Sequence, residues 1–161
     1  MIGFTAWLEA SALGHFMRES GPWTYALVNL AHILGIASLF GAILIVDLRL
    51  IGAWRRIRLA ALADTAAPIA ACGFVLAAVT GTGLLATKAT EYVGNPFLYI
   101  KFPAIAIGVV NALAVRRSTA WRERASREPS PTEARRLAWM GALSLASWLT
   151  AIAAGRLIAY W

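Results

Sequence analysis

Nine residues into the first long apolar stretch of this chain lies a histidine. Trp23–Gly52 reads WTYALVNLAHILGIASLFGAILIVDLRLIG, and its first twenty-four residues carry no formal charge, with His32 among them. About 20 apolar residues are enough to cross the hydrocarbon core of a bilayer. An ionisable side chain at that depth is costly to keep, which makes it a functional-site candidate by default. Imidazole ligates haem iron, copper and zinc, and it carries protons near neutral pH. Two readings of His32 stand side by side: a ligand or proton-handling group, and a polar residue that hydrogen-bonds a neighbouring helix.

Few other residues have the chemistry to join it. At a rise of about 1.5 Å per residue, His32 sits ~14 Å below the start of its helix. Lys101 falls about one turn inside a later apolar stretch, and Arg156 about one turn from the end of the last one. A haem standing edge-up in the outer half of a helical bundle would use this pattern, with a histidine for the iron and cations for the propionates. Trp148, two turns before Arg156, would give such a group a flat wall. The alternative for Lys101 and Arg156 is that each extends its charge to the headgroups. His15 is the second histidine, with Met17 two residues on. It becomes a second axial or metal ligand only if the N-terminal segment folds over the mouth of the bundle, and is otherwise solvated at the interface. Asp47 and Arg49, two residues apart, point to different helix faces and do not suit one another as partners. Asp47 is expected to form an ion pair with another helix or a cap at the inner boundary, or to lie on a proton route toward His32. Asn29 and Asn111 are candidates for hydrogen bonds between helices. Glu-x-x-His, His-x-x-x-His, Cys-x-x-Cys and Gly-rich phosphate motifs do not occur in the chain.

The elements that must position these residues are helices in a membrane. Of 161 residues, 60% are hydrophobic and 14% charged, against about 25% charged in an ordinary soluble domain. The mean hydropathy is +0.65. Spans are expected at about 23–51, 62–87, 97–115 and 137–158, preceded by a short amphipathic interfacial helix over 3–19. The fold class is therefore all-α, a four-helix transmembrane bundle in a single membrane domain. Ser20-Gly21-Pro22 separates the interfacial helix from the first span. Gly73, Ala77 and Gly81 have the small-xxx-small spacing that lets helices approach in lipid. The lone Cys72 lies in an apolar run and reads as a small hydrophobe. The stretch RRSTAWRERASREPSPTEARR before the last span is rich in Arg, Pro and Ser, and is expected to lack packed structure of its own.

The net charge of +7 would point to nucleic acid in a soluble protein. Here the arginines gather between spans one and two and between three and four, so the positive-inside rule accounts for them and nucleic-acid binding is set aside. That rule puts both basic loops in the cytoplasm and both termini on the periplasmic side.

Three blocks carry a resemblance: LAHILGIASLFGAILIVDLRLIG, NPFLYIKFPAIAIGVVNAL and AAGRLIAYW. They resemble an uncharacterised family of small bacterial four-helix membrane proteins, over most of Trp23 to Trp161. The His…Gly…Asp-Leu-Arg-Leu block is the most specific part. This resemblance implies a bacterial inner-membrane location and brings no activity. More distantly, His32 early in one span and Lys101 early in a later one are similar to the HemJ-type protoporphyrinogen oxidases and the CopD-type copper-resistance proteins. The first likeness implies a b-type haem or porphyrin on His32; the second implies copper handling. The expected function is thus a haem-b membrane protein supporting electron transfer, with His32 as axial ligand and a membrane redox partner. The alternatives are a non-catalytic subunit of a larger complex or a homo-oligomer, and a copper transporter.

Overall fold

The computed structural model describes residues 2–161, with side chains from residue 3 onward. Among the described residues every regular element is helical: α1 Ile2–Glu9, α2 Ala12–Glu19, α3 Gly21–Ile51, α4 Leu59–Thr87, α5 Pro96–Arg117, α6 Thr119–Arg122 and α7 Pro131–Leu157, closed by a 3-10 turn over Ile158–Tyr160. Four of them, α3, α4, α5 and α7 with its closing turn, are long and apolar enough to cross a membrane. The shortest has 22 residues, or ~33 Å at 1.5 Å per residue, against a hydrocarbon core of about 30 Å. Their outward faces carry large apolar side chains such as Leu27, Ile33, Val79, Val110 and Trp139. The chain is an all-α, multi-pass membrane protein.

Two helix boundaries and one connecting segment differ from expectation, each for a local reason. The single helix expected over 3–19 is two helices. Ser11 divides them: its hydroxyl donates to the Leu8 carbonyl (2.6 Å) and accepts from the Gly14 amide (3.3 Å), ending one helix and capping the next. Helix α7 begins at Pro131, not 137. Ser130 and Glu133 form a capping box, with Glu133 N donating to Ser130 Oγ (3.4 Å) and Ser130 N donating to the Glu133 carboxylate (2.8 Å). The arginine-rich stretch is ordered. It contains α6, capped by Ser118, with Trp121 buried beneath the Arg124 guanidinium at 4.9 Å.

The chain packs as two compact units: residues up to Leu39 with Ala70–Asn95, and Phe40–Ile69 with Pro96–Trp161. Helices α3 and α4 each contribute to both.

In the first unit, α1 and α2 dock on the C-terminal end of α4. Leu8 is buried with Ala86 and Ala89, and Met17 is buried beside Gly83. Arg18 donates to the carbonyls of Glu9 (2.9 Å) and Thr87 (3.3 Å), neutralising carbonyls that a helix end leaves unpaired. The Glu9 carboxylate accepts from both the amide and the hydroxyl of Thr90, each at 2.7 Å. The opposite face of the hairpin stays apolar and exposed, with the Phe4 and Trp7 rings 5.8 Å apart, as befits an interfacial segment.

In the second unit α5 packs on α7, and the two basic connections meet. Arg58 donates to the Ala125 carbonyl (2.7 Å), Arg124 pairs with Asp64 (2.6 Å), and Arg49 pairs with Glu128 (3.0 Å). The other Glu128 oxygen accepts the Leu59 amide at the start of α4 (3.1 Å). Arg127 bridges Glu123 and Glu133. The Pro and Ser content of the arginine-rich stretch led to the expectation of no packed structure, but its charged side chains order it.

Two tests follow from these anchors. Ser130→Ala should cost α7 about 1 kcal/mol at its first turn, read as faster hydrogen exchange over residues 131–134; unchanged exchange would contradict the cap. The Thr90 bonds hold the Glu9 carboxyl below its usual range, so its contribution is present above the ordinary glutamate range and fades as pH falls through the lowered value. Exchange protection of α1 should therefore drop at acid pH, and Glu9→Gln should remove that dependence.

Candidate intramembrane histidine site

His32 sits one turn from a close approach of α3 and α4. A Cβ built on Gly35 would stand 2.8 Å from the Ala77 amide nitrogen and 3.0 Å from the Gly73 carbonyl oxygen; one on Gly73 would stand 2.5 Å from the Leu39 nitrogen and 2.7 Å from the Gly35 oxygen. Backbone meets backbone there, so neither position accepts a side chain. One turn along α3 from Gly35 is His32, whose ring lies over Gly81, with its Cε1 2.8 Å from where a Cβ would be. The stripe Gly73, Ala77, Gly81 read from the sequence does face α3, and its last member makes room for an imidazole.

The ring's orientation is set by Thr80. His32 Nδ1 lies 3.1 Å from Thr80 Oγ1. The Thr80 hydroxyl proton is directed to the Leu76 carbonyl at 2.6 Å. With its proton so directed, Oγ1 offers a lone pair toward His32 Nδ1, which suits the tautomer protonated at that nitrogen. A metal-binding histidine is commonly oriented this way, its second nitrogen donating to an oxygen that fixes ring and tautomer. Thr80 is not among the candidates drawn from the sequence. Its one distinguishing signal was a hydroxyl next to a glycine of the small-residue stripe, and a hydroxyl in an apolar helix usually bonds its own backbone.

The other candidates are distributed between the units. His15, in the same unit as His32, carries its ring to Glu19 (3.3 Å) on the exposed side of α2, away from the docked Gly14–Met17 face. Its neighbour is an exposed carboxylate, not the seam that holds His32. A cavity of about 390 Å³ in this unit lies between Arg18, Tyr25, Lys88 and Tyr92. Burial and the neighbouring Tyr25 push the Tyr92 phenol up from its ordinary range.

Lys101, Trp148 and Arg156 belong to the second unit. The Lys101 chain runs over Gly155, with Nζ 3.3 Å from where a Cβ would be. Arg156 is exposed and held at the end of α7 by the Tyr160 hydroxyl, its guanidinium 4.9 Å from the Tyr160 ring centroid. Trp148 is buried, and its indole rests on Gly108 of α5, 2.9 Å from where a Cβ would be. It thus acts as an α5–α7 wedge. Asn111 donates to the Met140 carbonyl (2.9 Å) across the same contact, as its position led one to expect; Asn29 is exposed.

Asp47 corrects an expectation. It is buried, at 5% exposure, yet it makes no ion pair among the described residues. Its Oδ2 is buried and has no hydrogen-bond partner among the described residues. Among the described residues no three His, Cys, Asp or Glu side chains cluster closely enough to hold a metal ion.

With this geometry in view, the comparisons give a class and nothing narrower. A model of a family of unknown function, DUF6644, matches residues 4–161, and the chain belongs to that family. No curated protein and no solved structure matches it. The distant likeness to HemJ- and CopD-type proteins thus gains no support from them.

The seam makes a graded prediction. In Gly73→Ala the new methyl meets backbone that cannot give way, and overpacking of this kind costs about 1–3 kcal/mol. Gly81→Ala meets a side chain that can swing aside, so it should leave the fold standing and break the His32–Thr80 bond. Thermal unfolding in detergent and imidazole nitrogen NMR would separate the two; a Gly73→Ala protein as stable as the parent would show the contact to be loose.

Proposed function

We propose that this chain is an inner-membrane protein that holds a b-type haem through His32 and supports electron transfer to a membrane partner. One observation supports the reading: a histidine inside the apolar part of α3 is held through its Nδ1 by the Thr80 hydroxyl, the kind of contact that orients a ligating imidazole. A haem needs a single such nitrogen from one side, whereas zinc or copper held by protein alone calls for a cluster of ligands. When bound, the haem would supply one-electron chemistry. The protein's part is to orient the imidazole, exclude water from it and hold its tautomer. The meeting of the two basic connections in one unit supports a topology with both in the cytoplasm and both termini outside.

The purified protein should show a Soret band that His32→Ala removes. Thr80→Val should keep the band and weaken haem retention by about 10- to 100-fold, the usual effect of losing an orienting partner. A colourless wild-type protein after haem supplementation would reject the proposal, and metal analysis after copper loading would test the copper alternative. The second reading, a non-catalytic subunit of a larger complex, is favoured by the same His32–Thr80 bond taken as a fastening of α3 to α4. Its signature is a partner co-purifying at fixed stoichiometry in mild detergent.

A further inference from the structure

In the first unit, where α3 begins and α4 finishes, lies a cavity of about 390 Å³. That volume falls in the range of small-ligand pockets, about 300–1,000 Å³. Met17 and Leu84 give it an apolar lining; Arg18, Tyr25, Lys88 and Tyr92 give it a polar one. The spans end at Gly21 and Thr87, both of which line it, so it lies where hydrocarbon gives way to headgroups. Helices α1 and α2 dock on the same end of α4 and expose Phe4, Trp7 and Phe16, the apolar face of an interfacial segment. A molecule with one apolar and one polar end matches this placement.

The polar lining is made of donors. Arg18 bonds only neutral carbonyls, those of Glu9, Ala86 and Thr87, and does so through Nη1 and Nη2, which leaves Nε to donate. Lys88 meets the Glu91 carboxylate at 3.1 Å with both side chains 60% exposed; so exposed a pair is weak, and its ammonium can turn to another anion. The Tyr25 and Tyr92 hydroxyls add two further donors. No Asp or Glu lines the cavity. Nearby, the Glu9 carboxylate is taken by Thr90 and Glu19 faces His15. Helix α3 opens here with no acidic residue in its first turn, so the positive end of its dipole is left uncompensated.

We propose that this cavity binds the headgroup of an anionic phospholipid, its phosphodiester oxygens accepting from Arg18 Nε, Lys88 Nζ and the Tyr25 and Tyr92 hydroxyls, with the acyl chains passing Met17 and Leu84 toward the hydrocarbon. A zwitterionic headgroup brings a cation of its own to a site that already holds two, and free phosphate offers nothing to the apolar lining. The bound lipid joins α2 to the end of α4 and the start of α3, and the site does not depend on the haem reading.

Photo-crosslinking of the full-length protein in liposomes tests this. The probe is phosphatidylglycerol carrying a diazirine beside its glycerol backbone, with labelled residues mapped by peptide mass spectrometry. Label should concentrate on residues 17–25 and 84–92, several-fold above that from a phosphatidylcholine probe with the same chains. Lys88→Gln should lower it there about fivefold, the effect of losing one basic residue that faces anionic lipid, while label on the basic connections stays unchanged as an internal standard. Lys88 pairs with Glu91 alone among the described residues, so this variant keeps its fold. Tyr92→Phe, which retains the ring, should lower the label as well. Equal labelling by the two probes, or label that neither variant reduces, would overturn the proposal. Competition by free inorganic phosphate would make the cavity a site for a soluble anion and overturn the lipid assignment. His32→Ala should label as the wild type does, so a colourless protein that still captures the probe rejects the haem reading alone.

Discussion

The arrangement of the first unit rests on the contact of α3 with α4 at Gly35 and Gly73. Lipid tails are as apolar as leucine, so two apolar helices gain nothing in a bilayer from hiding such side chains from one another. What brings them together is close van der Waals contact and hydrogen bonding. Two facing glycines supply the first by letting backbone touch backbone. The His32–Thr80 bond supplies the second, one turn away. The imidazole is oriented because the helices are close, and Gly81 is the reason closeness does not expel it.

The second unit solves the same problem with different residues. Trp148 fills the space over Gly108, Asn111 reaches the Met140 carbonyl, and Gly141 lets α7 lie against the inner part of α3. Where these contacts approach the membrane boundary, ion pairs take over. Arg49, Arg58 and Arg124 each find a partner on a connection or helix start distant in sequence. Exposed pairs contribute little individually, about 0–1 kcal/mol, but here they share carbonyls and helix ends, so the connections are tied together as a group.

The four spans were readable because long apolar runs have one solution in a bilayer. The Gly73–Ala77–Gly81 face was readable for a similar reason: small residues at that spacing have no other use. Helix ends were harder. Ser11 and the Ser130-Pro131-Thr132-Glu133 box are visible in the sequence, but each competes with a plausible continuation, in one case of the helix and in the other of the loop. The order of the arginine-rich segment was hidden because composition counts charges without saying which find partners. Asp47 was misjudged in the same way. An acidic residue near many arginines invites an ion pair, yet its helix buries it where α7 packs while the arginines bond elsewhere. For the site, His32 was legible from depth alone, and Thr80 was not, since its role depends on where its own proton goes.

Glu128 joins parts of the chain made at very different times. It caps the start of α4 and holds the end of α3, yet it is translated 69 residues after Leu59. During synthesis the α3–α4 hairpin must therefore enter the membrane with its inner ends unfinished, and only the later emergence of the segment around Glu128 fastens them. The order in which the ribosome delivers the chain thus makes the inner boundary the last part of the hairpin to mature.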